Sequence, residues 1–131
     1  MREAPGSAAP RSGPDRARAG REGEAAAAAL LEAEGWAILA RNFRWPGGEV
    51  DIVAAREGIL AFVEVKNWSG LGSEALGEAI GPAKRRRIVE TSKIFLARHR
   101  EYSSWHVRYD VILVRDGRAL ERYEAAFTGD L

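Results

Sequence analysis

A chain of 131 residues with 46% hydrophobic content is long enough for one core and short for two domains. It has no cysteine, which excludes disulfides and thiolate metal sites and fits a reducing cytoplasm, and two histidines, His99 and His106, are a poor basis for a zinc site. Net charge is +1 and no apolar run is long enough for a membrane span, so a membrane is not an expected partner and any nucleic-acid contact must come from a local patch.

Residues 1–19 are rich in Ala, Arg, Gly, Pro and Ser without apolar periodicity. They read as a disordered tail ahead of a single domain over 20–131, and they lack the hydrophobic centre of a secretory signal. Gly20 to Glu34 holds a long alanine run and predicts a helix, with Gly35 as its stop. Glu24 falls on the same helical face as Ala27, Ala28 and Leu31. Two roles are open to it: an ordinary first-turn acid favoured by the helix dipole, or an acid leaning over a metal.

Trp36 to Arg44 reads as a first strand and Trp45-Pro46-Gly47-Gly48 as a turn. Gly48 to Val53 and Phe62 to Lys66 then alternate charge with apolar residues, as strands do. Arg56-Glu57-Gly58-Ile59 suits a tight hairpin between them. If Arg56 pairs with Ile59, counting outward sets Ala55 against Leu60, Asp51 against Glu64 and Glu49 against Lys66. Directly opposed side chains have Cβ atoms ~5 Å apart, and two acids so placed repel. A divalent cation between them resolves the conflict, since hard cations take carboxylate oxygens. Lys66 points at the same space. Two acids, a lysine and a metal make a site for phosphodiester hydrolysis. The plainer alternative is two amphipathic strands with a Glu49–Lys66 ion pair and a solvated Asp51.

Asn67 to Ile80 is glycine-rich and predicts a long loop, either a lid over the candidate site or a connector. Trp68 in it either stacks on a base or caps the core edge. Gly81-Pro82 opens a second helix, with Ile88, Thr91, Phe95 and Leu96 facing inward. Lys84, four residues before Ile88, points toward the sheet, while Arg85, Arg86 and Arg87 fan outward as either a phosphate-binding patch or a solvated face. Trp105 to Val114 predicts a fourth strand, parallel to the third because a helix separates them. Asp110 on it is expected to pair with Arg108. Arg115 to Arg118 is a turn, Ala119 to Ala125 an edge strand and Ala126 to Leu131 a frayed end.

Gly-x-x-Gly-Glu at 20–24, Gly-Glu-Val-Asp at 48–51, Phe-Val-Glu-Val-Lys at 62–66, Lys84, and Arg-Tyr-Asp-Val at 108–111 occur in an order that resembles the YraN family. That family is assigned to the restriction-endonuclease-like, PD-(D/E)xK nuclease superfamily, and the likeness spans Gly20 to Phe127. Val50 replaces the superfamily's proline, and Asn67-Trp68 stands where the family often has basic residues. The resemblance implies an α/β, three-layer fold with a mixed sheet in α-β-β-β-α-β-β order. It implies a metal-dependent endonuclease with Glu24, Asp51, Glu64 and Lys66 as catalytic residues. Asp51, Glu64, the Val65 carbonyl and Glu24 would hold Mg²⁺ or Mn²⁺, and Lys84 with Arg85 to Arg87 would hold the strand. The order of acids is also similar to archaeal Holliday-junction resolvases, which implies branched DNA as substrate and a symmetric homodimer. The alternatives are a nucleic-acid-binding module that keeps the fold without turnover and a protein-interaction domain in which the acids are a relic.

Overall fold

Alternation along the strands sorts large side chains to one face of the sheet and smaller ones to the other, and each face takes its own helix. The computed structural model describes residues 13–67, 80–116 and 118–129. In chain order these form helix α1 (Gly13–Ala33), strands β1 (Ala37–Trp45), β2 (Gly48–Arg56) and β3 (Ile59–Asn67), and helix α2 (Pro82–Arg98). A 3₁₀ turn (Arg100–Tyr102) and strands β4 (His106–Arg115) and β5 (Arg118–Phe127) follow. The sheet has the spatial order β1-β2-β3-β4-β5. Neighbours are antiparallel except β3 and β4, which run parallel across the α2 crossover. This is the expected α/β order.

On one face Leu60, Phe62, Tyr109, Val111 and Leu113 pack against Ile88, Val89 and Phe95 of α2. Phe95 is the centre of an aromatic group, meeting Phe43, Phe62 and the His99 ring. His99 is therefore a packing residue, as expected, and His106 is exposed. Val89 and Ser92 join the buried stripe of α2, while Leu96 is only half-buried. Ser92 donates to the Val89 carbonyl at 2.6 Å and so accepts from the Tyr109 hydroxyl at 2.7 Å. On the opposite face Ala54, Ala61, Val63, Ile112 and Val114 pack against Ala27, Ala28 and Leu31 of α1. The small residues let α1 approach closely. At Gly23 an added Cβ would stand 2.6 Å from Val114 Cγ2. The three layers are helix, sheet and helix, and no helix among the described residues is long and apolar enough to cross a membrane.

Three local devices fix the geometry near the candidate site. The β2–β3 loop has Glu57 and Gly58 both at positive φ, 49° and 80°. Two such residues match the right-handed strand twist of a tight hairpin, and Arg56 pairs with Ile59 as counted. Beyond the end of α1, Gly35 with φ of +93° turns the chain so that the Trp36 N–H reaches back to the Leu31 carbonyl at 3.0 Å. The β1–β2 turn is pinned to α2: Trp45 Nε1 donates to Thr91 Oγ1 at 2.8 Å, and Thr91 donates to the Arg87 carbonyl at 2.7 Å. A Cβ at Gly48 would lie 2.9 Å from that hydroxyl, so glycine permits the contact.

The boundaries differ most from expectation at the start of α1 and the end of β5. Helix α1 begins at Gly13 rather than Gly20. Pro14 is tolerated in a first turn and Asp15 is favoured there, signals hidden in the tail-like composition. Strand β5 runs on to Phe127, whose ring stacks on Tyr109 at 5.0 Å, so 126–127 is held rather than frayed. Residues 1–12 and 68–79, with the expected loop and Trp68, lie outside the described residues.

The two glycines of the α1 motif separate packing from propensity. Gly20 has nothing within 4 Å of a would-be Cβ, so Gly20→Ala should stabilise by up to ~1 kcal/mol. Gly23→Ala should destabilise by roughly 1–3 kcal/mol through overpacking on β4. Urea denaturation of both variants beside the parent measures the difference.

Candidate functional site

The ladder between β2 and β3 runs from Arg56↔Ile59 to Ile52↔Val63 and stops there. The next residues on each strand are Asp51 and Glu64. Where the backbone pairing ends, a side chain takes over: the Val65 N–H donates to Asp51 Oδ2 at 2.7 Å. The two carboxyl groups meet, as the hairpin count predicts. Asp51 is pushed up to about 7, first by burial and then by the charge of Glu64; the Val65 N–H and Lys84 pull the other way. Glu64 is itself buried, with 6% of its surface exposed.

Alternation is interrupted at this point. Val50 and Val53 both belong to the core under α2, whereas Ile52 belongs to the core under α1. On β1, Asn42 lies between the pairs Arg41↔Ile52 and Phe43↔Val50, opposite Asp51, and has φ of +55°. Asparagine tolerates this left-handed conformation better than most residues. Its side chain hydrogen-bonds Glu24, and the Glu24 carboxyl is raised above its ordinary value by burial, with Asp51 adding to the rise. Glu24 is therefore electrostatically coupled to Asp51 across the strand kink, anchored by Asn42. Among the described residues no three His, Cys, Asp or Glu side chains gather closely enough to cage a metal ion. Glu24 stands beside the Asp51–Glu64 pair rather than completing a three-acid cluster with it.

Lys84 does point inward, as its helical position predicts, and forms an ion pair with Glu64 Oε2. Its place is on the acid, not in an outward basic patch. Arg85 departs from the expected outward fan: its Nε donates to the Ile80 carbonyl at 3.2 Å, and the side chain is half-buried. One turn of helix brings it back over the segment entering α2. Arg86 and Arg87 are exposed as expected. Lys66 is half-buried on β3, and among the described residues it forms no ion pair. The Glu49–Lys66 pair of the plainer reading does not form, because the β2–β3 ladder ends before reaching it. Glu49 instead pairs with Arg44 on β1 at 2.7 Å. Asp110 pairs with Arg108 through two 2.9 Å hydrogen bonds, as expected, and also accepts from the Ala125 N–H at 2.9 Å.

Sequence reasoning missed Asn42 and Gly23. An asparagine amid strand residues is a signal for a left-handed kink. A glycine inside an alanine-rich helix is a signal for close packing.

The shared charge has a measurable consequence. A carboxyl raised from 3.8 to about 7 binds more protons in the folded than in the unfolded chain between those values, so stability falls as pH rises through that window. Asn at position 51 keeps an acceptor for the Val65 N–H and carries no charge. In chelator, Asp51→Asn should raise stability on the order of 2 kcal/mol at pH 8 and leave it little changed near pH 4. Denaturation midpoints of parent and variant at four pH values between 4 and 8 test the sign.

Residues 23–114, from the first helix to the end of β4, match the family described as uncharacterised protein family UPF0102. A UPF0102 protein of Granulibacter bethesdensis is 43% identical over 113 residues, covering 86% of this chain and 70% of its own. One from Bradyrhizobium diazoefficiens is 39% identical over 130 residues, covering 96% of each chain. A third, from Bradyrhizobium sp. strain ORS 278, is 42% identical over 106 residues, covering 81% of this chain and 73% of its own. With the fold in the expected order and matches of this extent, the chain belongs to the UPF0102 family, which is the YraN family that its motifs resemble.

Proposed function

We propose that this protein is a metal-dependent endonuclease of the cytoplasm that hydrolyses phosphodiester bonds in DNA, with branched DNA as the favoured substrate. The observation that carries the reading is the meeting of Asp51 and Glu64 at the end of the β2–β3 ladder, where burial and the charge of Glu64 oppose the ionisation of Asp51. A hydrophobic pair would serve the fold better there. Two hard oxygen donors with mutual repulsion suit Mg²⁺ or Mn²⁺, and the Val65 carbonyl on the same strand is a further oxygen donor.

Bound there, a divalent cation supplies Lewis acidity, lowering the pKa of water and offsetting charge on the phosphate. The chain's own residues do the rest. Asp51 and Glu64 would hold the cation, and the Val65 N–H fixes the rotamer of Asp51. Glu24, held by Asn42, adds negative potential behind Asp51. Lys66 orients a water or a phosphate oxygen from β3. Arg86 and Arg87, exposed at the head of α2, hold the strand by its backbone.

Incubation with four-way junction, flap and single-stranded DNA in Mn²⁺ should give cleavage. Cleavage should vanish in the Asp51→Ala, Glu64→Ala double variant and fall by roughly 100-fold in Lys66→Ala. If the double variant cuts as well as the parent, the site is wrongly assigned. Arg86→Ala with Arg87→Ala should weaken DNA binding and reduce its logarithmic salt slope by about 1 per arginine.

One observation favours a second reading, a nucleic-acid-binding module without turnover: Lys84 already neutralises Glu64. Binding that survives chelator, with no cleavage of any of the three substrates, would select it.

A further inference from the structure

Lys84 is the third residue of α2, and its ammonium crosses from the helix to the sheet to reach Glu64. The Glu64 side chain is 7% exposed and that of Lys84 36%. A carboxylate so enclosed needs a positive partner, and leaving it without one is costly. Asp51 gives no help, being an acid itself and already engaged by the Val65 N–H. Among the described residues, Lys84 is the one cation paired with Glu64. The first turn of α2 offers it no carboxylate of its own, and the three residues that follow it are Arg85, Arg86 and Arg87. An ammonium leaving Glu64 would therefore enter a field of like charge at a helix N-terminus, a place that only an anion makes favourable.

We propose that Lys84 and the divalent cation compete for Glu64, and that the cation's arrival releases the Lys84 ammonium to a phosphate group at the head of α2. The inference rests on the metal site proposed above and assigns Lys84 a role in it. The ammonium stands in for the cation's charge and keeps the buried acid neutralised. Once displaced, it completes a phosphate site with Arg86 and Arg87. Cation and nucleic acid then bind with positive coupling, and the coupling is reciprocal.

Mn²⁺ titration of the full chain, followed by the electron spin resonance of free Mn²⁺, tests the competition without reference to cleavage. Lys84→Met should bind Mn²⁺ roughly tenfold more tightly than the parent, the scale of one charged partner removed from an enclosed carboxylate. Lys84→Gln should do the same should the methionine variant fold poorly. Lys93→Met removes an equal charge from the exposed face of α2 and should leave the affinity unchanged. In a second measurement, saturating Ca²⁺ should tighten the parent's binding of a labelled single-stranded oligonucleotide, and Lys84→Met should lose most of that gain. A parent that binds Mn²⁺ beside Lys84 variants that bind it no tighter overturns the competition alone. Parent and variants that all fail to bind Mn²⁺ overturn the metal site and the competition together. An oligonucleotide gain that survives in Lys84→Met overturns the release to phosphate.

Discussion

Asp51 and Glu64 are held against each other by the register of a two-residue hairpin, and most of the surrounding structure follows from accommodating them. The β2–β3 pairing ends at Ile52↔Val63, and the next residues on the two strands are the two acids, whose direct opposition is unfavourable. The Val65 N–H, freed from the ladder, goes to Asp51. The ammonium of Lys84 comes across from α2 to Glu64. On β1, Asn42 turns left-handed opposite Asp51 and ties down Glu24. Each step satisfies one polar group, yet burial and the charge of Glu64 still hold the Asp51 carboxyl up to about 7.

A second buried aspartate shows what a purely structural solution looks like. Asp110 is 1% exposed and also serves as a side-chain acceptor where a ladder breaks, taking the Ala125 N–H beside a register shift between β4 and β5. There the sequence provides Arg108 two residues away on the same strand, and the guanidinium closes on both carboxyl oxygens. Asp51 performs the same backbone task without such a partner and faces another acid instead. The fold thus has the means to neutralise a buried aspartate and does not apply them fully at Asp51. That difference is the physical reason to read the Asp51–Glu64 pair as a place for an ion.

Much of this was legible in the residues. A Glu-Gly loop sets the hairpin register by counting, so the meeting of Asp51 and Glu64 could be read without coordinates. The inward course of Lys84 followed from its helical phase with Ile88, and the pairing of Asp110 with Arg108 from strand alternation. What escaped depended on choices between neighbours. Glu49 had β1 on one side and β3 on the other, and only the early end of the β2–β3 ladder decides for Arg44. Arg85 looked like its two neighbours, yet the segment entering α2 gives it a carbonyl to bind. The left-handed turn at Asn42 and the tight seat of Gly23 on Val114 are tertiary facts, visible in sequence only as residues slightly out of place. The start of α1 was hidden because Gly, Pro and Arg suggest a tail whether or not a helix begins among them.

The central claim is that these two acids are kept together for a cation. Crystals soaked in Mn²⁺ and measured at an anomalous wavelength address it directly. The account predicts a single strong peak between the Asp51 and Glu64 carboxylates, with the Lys84 ammonium moved off Glu64. Mn²⁺ density elsewhere on the protein, with the Val65 N–H still on Asp51 and the Lys84 ammonium still on Glu64, would contradict it.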